Sequence, residues 1–160
     1  MNDNPVIVGI AQGNVVQKPR RLVSYALGSC VGVCLYDREK GIAGMVHILL
    51  PSHWDAIDKA NPYKFADTGC VRLFHEMLGA GAARHSVTAK IAGGAEMFHT
   101  GGKTWGIGER NVKAVREALA SLGIRLIAED TGEDYGRTVM LDSATGIVTV
   151  KSVKHGLKVI

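Results

Sequence analysis

The chain has 160 residues, 46% of them apolar and 21% charged, and a formal net charge of +4. That length suffices for one domain with a real core, and the composition is that of an ordinary globular protein rather than a disordered or fibrous one. No apolar run approaches the ~20 residues of a bilayer-spanning helix, the N-terminal residues lack a secretion signal, and the basic residues are too scattered for a nucleic-acid stripe. The expectation is a single cytoplasmic domain over residues 1–160, with no membrane insertion and no nucleic-acid partner.

In chain order, residues 6–10 form a short β-rich run that Gly13-Asn14 interrupts, and residues 18–21 a polar turn. A second strand over 22–26 leads into Gly28-Ser29-Cys30. Val31, Val33 and Leu35 then alternate with Gly32, Cys34 and Tyr36, the period of two that defines a strand. Residues 37–41 are a hairpin connection, and 42–50 return as a nearly continuous apolar strand that Pro51 stops.

Residues 52–64 are polar and irregular, with Asn61-Pro62 as a turn signal. A helix follows, with Asp67 or Thr68 as its cap. Cys70, Leu73, Phe74, Met77 and Leu78 make one apolar face. His75 lies off that stripe and reads as solvated. Gly79 and Gly81 end the helix. Residues 86–92 form a strand ending at Gly93-Gly94-Ala95, and 96–108 a glycine-rich loop carrying Phe98, His99 and Trp105. Glu109-Arg110-Asn111 opens a second helix with Val112, Val115, Leu119 and Leu122 inward, closed by Gly123. A strand over 124–128, a turn-rich loop over 130–136 and a hairpin of 138–141 with 147–153 complete the chain. The order β-β-β-β-α-β-α-β-β-β predicts an α+β domain in which helices cover a largely antiparallel sheet.

The chemistry concentrates at Cys30 and His47. Three cysteines, an odd number, argue against a disulfide framework. Cys30 and Cys34 on one strand stand about 13 Å apart at ~3.3 Å per residue, too far to share a zinc or a disulfide. Cys34 and Cys70 read as core thiols. Cysteine is commonly buried for packing alone, and a strand histidine is usually a satisfied core group. Cys30, however, is approached by Gly28-Ser29, small residues that turn the chain sharply and leave room for a substrate. A hairpin through residues 37–41 brings Cys30 and His47 side by side, the minimum for thiolate catalysis. In that reading an imidazolium lowers the thiol pKa, and the backbone N–H groups of Ser29 and Cys30 hold the oxyanion. His53 lies beyond Pro51 and His99 in the glycine-rich loop, so neither is expected to be the base. No metal and no cofactor enter this chemistry.

Read together, several stretches resemble the CheD family of chemoreceptor glutamine deamidases. They are Leu27-Gly28-Ser29-Cys30-Val31-Gly32, Gly44-Met45-Val46-His47 through Leu50-Pro51, and Phe65-Ala66-Asp67-Thr68. Ala89-Lys90-Ile91-Ala92-Gly93-Gly94-Ala95-Glu96-Met97-Phe98 follows, then Ile107-Gly108-Glu109-Arg110-Asn111, Asp130-Thr131-Gly132 and Gly136-Arg137. The resemblance implies a three-layer α/β/β sandwich with largely antiparallel sheets and two main helices. It also implies a Cys-His-Thr triad, which falls on Cys30, His47 and Ser24, a serine where the family has threonine. Phe65 stands where the family has tyrosine, and Glu133 where Gly-Gly is common.

The implied activity is deamidation of specific glutamines on the helical cytoplasmic segments of methyl-accepting chemotaxis receptors, through a Cys30 thioester. Hydrolysis of receptor glutamyl methyl esters is implied beside it. The implied regulatory partner is a CheC-type phosphatase. Phe98 and Trp105 are expected at the substrate or partner rim. The rival readings are a non-catalytic adaptor for that phosphatase, in which Cys30 would react no faster with alkylating agents than Cys34 or Cys70, and a general cysteine protease or amidase.

Overall fold

Val31–Asp37 (β4) and Ile42–Ile48 (β5) pair antiparallel in unbroken register, from Val31 opposite Ile48 to Asp37 opposite Ile42. Strand alternation then sends Val31, Val33, Leu35, Val46 and Ile48 to one face, and Gly32, Cys34, Met45 and His47 to the other. The computed structural model describes residues 4–54, 56–97 and 106–160, and Phe98, His99 and Trp105 lie outside them. The hairpin is the centre of a five-stranded sheet. It is flanked by Gly13–Gln17 (β2) beside β5 and by Val87–Gly93 (β6) beside β4, with Arg125–Thr131 (β7) parallel to β6.

Two helices, Ala66–Gly79 (α1) and Ile107–Ser121 (α2), cover the first face of this sheet. The apolar stripe of α1 buries Cys70, Leu73, Phe74 and Met77 there, while His75 is exposed. Val112, Val115 and Leu119 do the same from α2. Opposite, a second five-stranded sheet packs on the face that carries His47. Its order is Val6–Ile7 (β1), Arg21–Leu27 (β3), Arg137–Asp142 (β8), Val148–Ser152 (β9) and Gly156–Val159 (β10). Leu22, Val139, Leu141, Val148 and Val150 supply its inner surface. The layers run helices, sheet, sheet, and most strand pairs are antiparallel.

The three-layer α/β/β sandwich with two main helices is borne out: the helices cover one of two sheets, and half of each central strand faces a second apolar layer rather than solvent. Several expectations about single elements need correcting. Gly13-Asn14 begins a strand rather than ending one: β2 pairs with β5 along the edge from Gly13 opposite Val46 to Gln17 opposite Ile42. β10 was also unforeseen. The run through residue 50 leaves the ladder at Ile48, and Leu50 bridges to Phe65 instead. Phe65, not Asp67 or Thr68, is the cap position of α1 and offers no side-chain bond. Asp67 sits inside the first turn and Thr68 Oγ1 donates to the Pro62 carbonyl.

Candidate active site

Cys30 lies one residue before β4, on the strand face that continues through Gly32 and Cys34. His47 stands directly opposite Gly32 on β5, diagonal to Cys30 on the same face. Both are buried, with exposures of 8% for Cys30 and 1% for His47. Gly32 leaves the space between them free of a side chain of its own, and Leu27 Cδ1 approaches to 3.1 Å of where its Cβ would be. Among the described residues His47 is the one buried histidine.

The turn that presents Cys30 begins with a distortion of β3. Pairing with β8 slips between Ser24 and Leu27, and Ala26 takes a left-handed φ of 56°. Such bulges re-aim the chain at the rim of a sheet. Each carbonyl of the turn is then held from behind. The Ala95 N–H donates to the Gly28 carbonyl at 2.9 Å, Asn111 Nδ2 to the Ser29 carbonyl at 2.9 Å, and the Gly94 N–H to the Cys30 carbonyl at 2.8 Å. The N–H groups of Gly28 and Ser29 meet no acceptor among the described residues, and that of Cys30 faces its own sulfur. Donors left free beside a nucleophile form an anion-binding concavity.

Gly93 explains part of the glycine-rich motif. Its φ is +117°, and a Cβ there would stand 2.2 Å from the Cys30 carbonyl oxygen, so any side chain would push the Cys30 turn away. Gly108 plays the matching part on α2, where a Cβ would meet the Gly94 and Ala95 carbonyls at 2.5 Å. Met97 lies over the front of the turn: its Sδ is 2.9 Å from where a Gly28 Cβ would be. The predicted rim residues Phe98 and Trp105 belong to the undescribed stretch that follows it.

Ser24 comes from the opposite sheet. It is fully buried and its hydroxyl donates to the Val8 carbonyl at 2.6 Å. Neither ring nitrogen of His47 has a hydrogen-bond partner among the described residues, so no His47–Ser24 bond is formed in this structure. The Val8 carbonyl nonetheless lies close enough for its dipole to favour the charged ring. Ser24 is thus bonded to the Val8 carbonyl and not to the imidazole itself.

Burial sets the protonation states. It pushes the Cys30 thiol above its ordinary value, with its own N–H offsetting part of the rise. It lowers the His47 pKa, and the Val8 carbonyl offsets part of that. Both directions favour the uncharged forms, thiol and neutral imidazole, over the thiolate–imidazolium pair. Cys34 and Cys70, almost wholly enclosed, are pushed to about 12. They pack as core thiols, as expected.

His53, beyond the end of β5, is held: its Nδ1 lies 2.7 Å from Asp67 Oδ2, and its ring packs at a tilt on Trp54 with centroids 4.6 Å apart. Asp67 is raised by burial, but hydrogen bonds from His53, Thr68 and Ser52 outweigh this and hold it below the usual carboxylate range. The pair fastens the loop after β5 to α1. Sequence reasoning missed Asn111 as a contact of the nucleophile turn, and the carbonyl of Val8. Its one available signal for Asn111 was a polar side chain facing inward one position before Val112, with poor intrinsic helix propensity.

The architecture is an α/β/β sandwich with a thiol and an imidazole enclosed between its sheets. The family model described as CheD chemotactic sensory transduction matches residues 49–152, downstream of both groups. A "Probable chemoreceptor glutamine deamidase CheD" of Clostridium tetani is 43% identical over 153 residues, covering 94% of this chain and 93% of its own. Its namesake in Moorella thermoacetica is 44% identical over 158 residues, with 97% and 95% covered. That of Caldanaerobacter subterraneus is 46% identical over 155 residues, with 96% of each chain covered. A crystal structure of Bacillus licheniformis hypothetical protein YfiH superposes with a TM-score of 0.49 at 14% identity, over 74% of this chain and 49% of that one. The chain belongs to the CheD family.

Proposed function

We propose that the protein is a protein-glutamine glutaminase that converts glutamines on methyl-accepting chemotaxis receptors to glutamate, with Cys30 as nucleophile and His47 as base. The observation that carries this is the Gly28–Cys30 turn. Its carbonyls are bonded away, its Gly28 and Ser29 N–H groups meet no acceptor among the described residues, and its thiol shares a strand face with a buried imidazole whose pKa burial lowers. The names of the relatives supply the substrate class.

A neutral imidazole accepts the thiol proton as sulfur attacks the carboxamide carbon. Negative charge on the former carbonyl oxygen falls to the Ser29 and Cys30 N–H groups. The imidazolium then protonates the departing ammonia, leaving a thioester on Cys30. Water, deprotonated by the same ring, adds to the thioester and releases the thiol and a glutamate side chain. The balance is one amide and one water in, one acid and one ammonia out. Ser24 is a positioning residue that acts through the Val8 carbonyl. The same acyl chemistry extends to receptor glutamyl methyl esters.

The setting is the cytoplasm, where receptor helices are reached without membrane insertion; no helix among the described residues is long and apolar enough to cross a bilayer. A CheC-type phosphatase is the regulatory partner that the family resemblance supports.

The test is mass spectrometry of a purified receptor cytoplasmic fragment incubated with the enzyme. Each converted glutamine gains about one mass unit, the exchange of an amide for an acid. Cys30→Ala is expected to abolish conversion, and His47→Ala to be nearly as damaging, because nucleophile and base act as a unit. Turnover retained in Cys30→Ala would overturn the mechanism.

A further inference from the structure

The β4–β5 ladder ends at Val31 opposite Ile48, so Cys30 and Leu49 are the first residues beyond it. There the two strands lose the regular bonds that hold the rest of the hairpin together. The Leu49 N–H turns away to the Lys64 carbonyl, and the Cys30 carbonyl to Gly94. One side chain spans the gap. Asn111, fully buried in the opening turns of α2, uses its Nδ2 protons on the Ser29 carbonyl at 2.9 Å and the Leu49 carbonyl at 3.0 Å. The first acceptor immediately precedes the thiol residue; the second lies two residues after the imidazole. The acceptors fix the amide's orientation, since reversing it would aim Oδ1 at two carbonyl oxygens. Oδ1 itself is buried with no partner among the described residues. A core position chosen for stability alone would be better filled by an apolar group than by an amide with half its capacity unmet.

We propose that Asn111 is a positioning residue for the reaction at Cys30, clamping the nucleophile turn to the end of the strand that carries the base. The inference rests on Cys30 and His47 acting as the preceding section assigns. The clamp sets the separation and angle between thiol and imidazole, and catalysis is sensitive to that placement where substrate affinity is not. It also aims the Ser29 carbonyl backwards, which turns the neighbouring N–H groups toward the substrate side.

The experiment compares Asn111→Ala, the isosteric Asn111→Asp and Cys30→Ala with wild type, using a purified receptor cytoplasmic fragment as substrate. In Asn111→Ala and Asn111→Asp, kcat is expected to fall by about 10- to 100-fold, the scale of a misplacement near 1 Å, with KM changed by less than about twofold. Iodoacetamide modification of Cys30, followed by intact mass in folded protein, is expected to slow in parallel and to shift its pH profile, because the thiol has lost its aligned base. Wild-type kcat and alkylation in folded Asn111→Ala would overturn the proposal. Where Ala yields too little folded protein, Asp carries the same test; failure of both to fold would show a purely structural role and also overturn it. Cys30→Ala separates the two levels. Turnover surviving in that variant would overturn the assignment of Cys30, whereas a dead Cys30→Ala beside normal Asn111 variants would overturn only the clamp.

Discussion

The two faces of the β4–β5 hairpin are made by the same residues in alternation, yet they are built on different terms. Toward the helices the hairpin presents Val31, Val33, Leu35, Val46 and Ile48, packed on Leu73, Phe74, Met77 and Val115, with Tyr63 at the margin of the cluster. Toward the second sheet it presents Gly32, Cys34, Met45 and His47, and Cys30 continues that line. The first face is closed by van der Waals contact and has one stable arrangement. The second admits a buried imidazole with no hydrogen-bond partner among the described residues, and a bulged strand with Ala26 at positive φ. Unsatisfied groups of this kind lower stability and persist where a site needs them. In this molecule one face of the hairpin packs on the helices, and the other packs on the second sheet and encloses the Cys30–His47 pair.

Truncation on the helix side should separate these roles most widely. Phe74→Ala is expected to cost about 3–5 kcal/mol of stability, the range for a fully buried aromatic, with kcat of the remaining folded enzyme unchanged. Urea denaturation beside a turnover assay checks both halves; a large fall in kcat would break the division between the faces. Ser24→Ala on the sheet side should do the reverse. Turnover is expected to drop by about 10- to 100-fold, matching ~1.5–3 kcal/mol for a hydrogen bond that supports a charged group, while Ser24→Thr matches or exceeds wild type. Full activity in Ser24→Ala would reduce the site to a Cys30–His47 pair.

The smallest effect is a pH dependence. Burial holds the His47 pKa below its ordinary value of ~6.5, so below that pH the unfolded chain binds a proton that the folded chain resists. The stability due to neutral His47 is complete above that value and is lost as the pH falls beneath it. Urea midpoints at pH 7.5 and 5.5 should therefore fall further in wild type than in His47→Gln. The acid limb of kcat/KM should likewise lie below the ordinary imidazole range, since the base must be neutral to work. An equal fall in both proteins would mean that the ring is not held neutral by its surroundings.

Much of this was legible in the sequence. The period of two over residues 31–36 placed Cys34 on a strand, four of the five residues in the predicted α1 stripe are buried and Leu78 is half-buried, and the hairpin connection at 37–41 joins β4, which Cys30 precedes, to the strand that carries the imidazole. What escaped reading had weak local signals. β2 begins Gly13-Asn14, residues depleted in strands, and is a strand because the β5 edge offers it partners. β10 is exposed at all of its residues and follows the same logic on β9. The resting charge state could not be read either, since it follows from how deeply two sheets enclose the pair. Asn111 meets Ser29 across 82 positions and Leu49 across 62, and no local pattern reports a contact of that kind.

Glu96 carries a consequence beyond the site. Its N–H donates to the Glu133 carbonyl at 2.9 Å, and its carboxylate accepts the N–H groups of Gly106 and Glu109, each at 3.1 Å. It thereby caps α2 from a distance, placing negative charge at the positive end of the helix dipole. The chain that leaves at Met97 and returns at Gly106 does so through this staple, so the position of α2, and of Asn111 on it, is fixed independently of what lies between. Substitutions confined to residues 98–105 are therefore expected to leave the Glu96 staple, and with it the start of α2, in place.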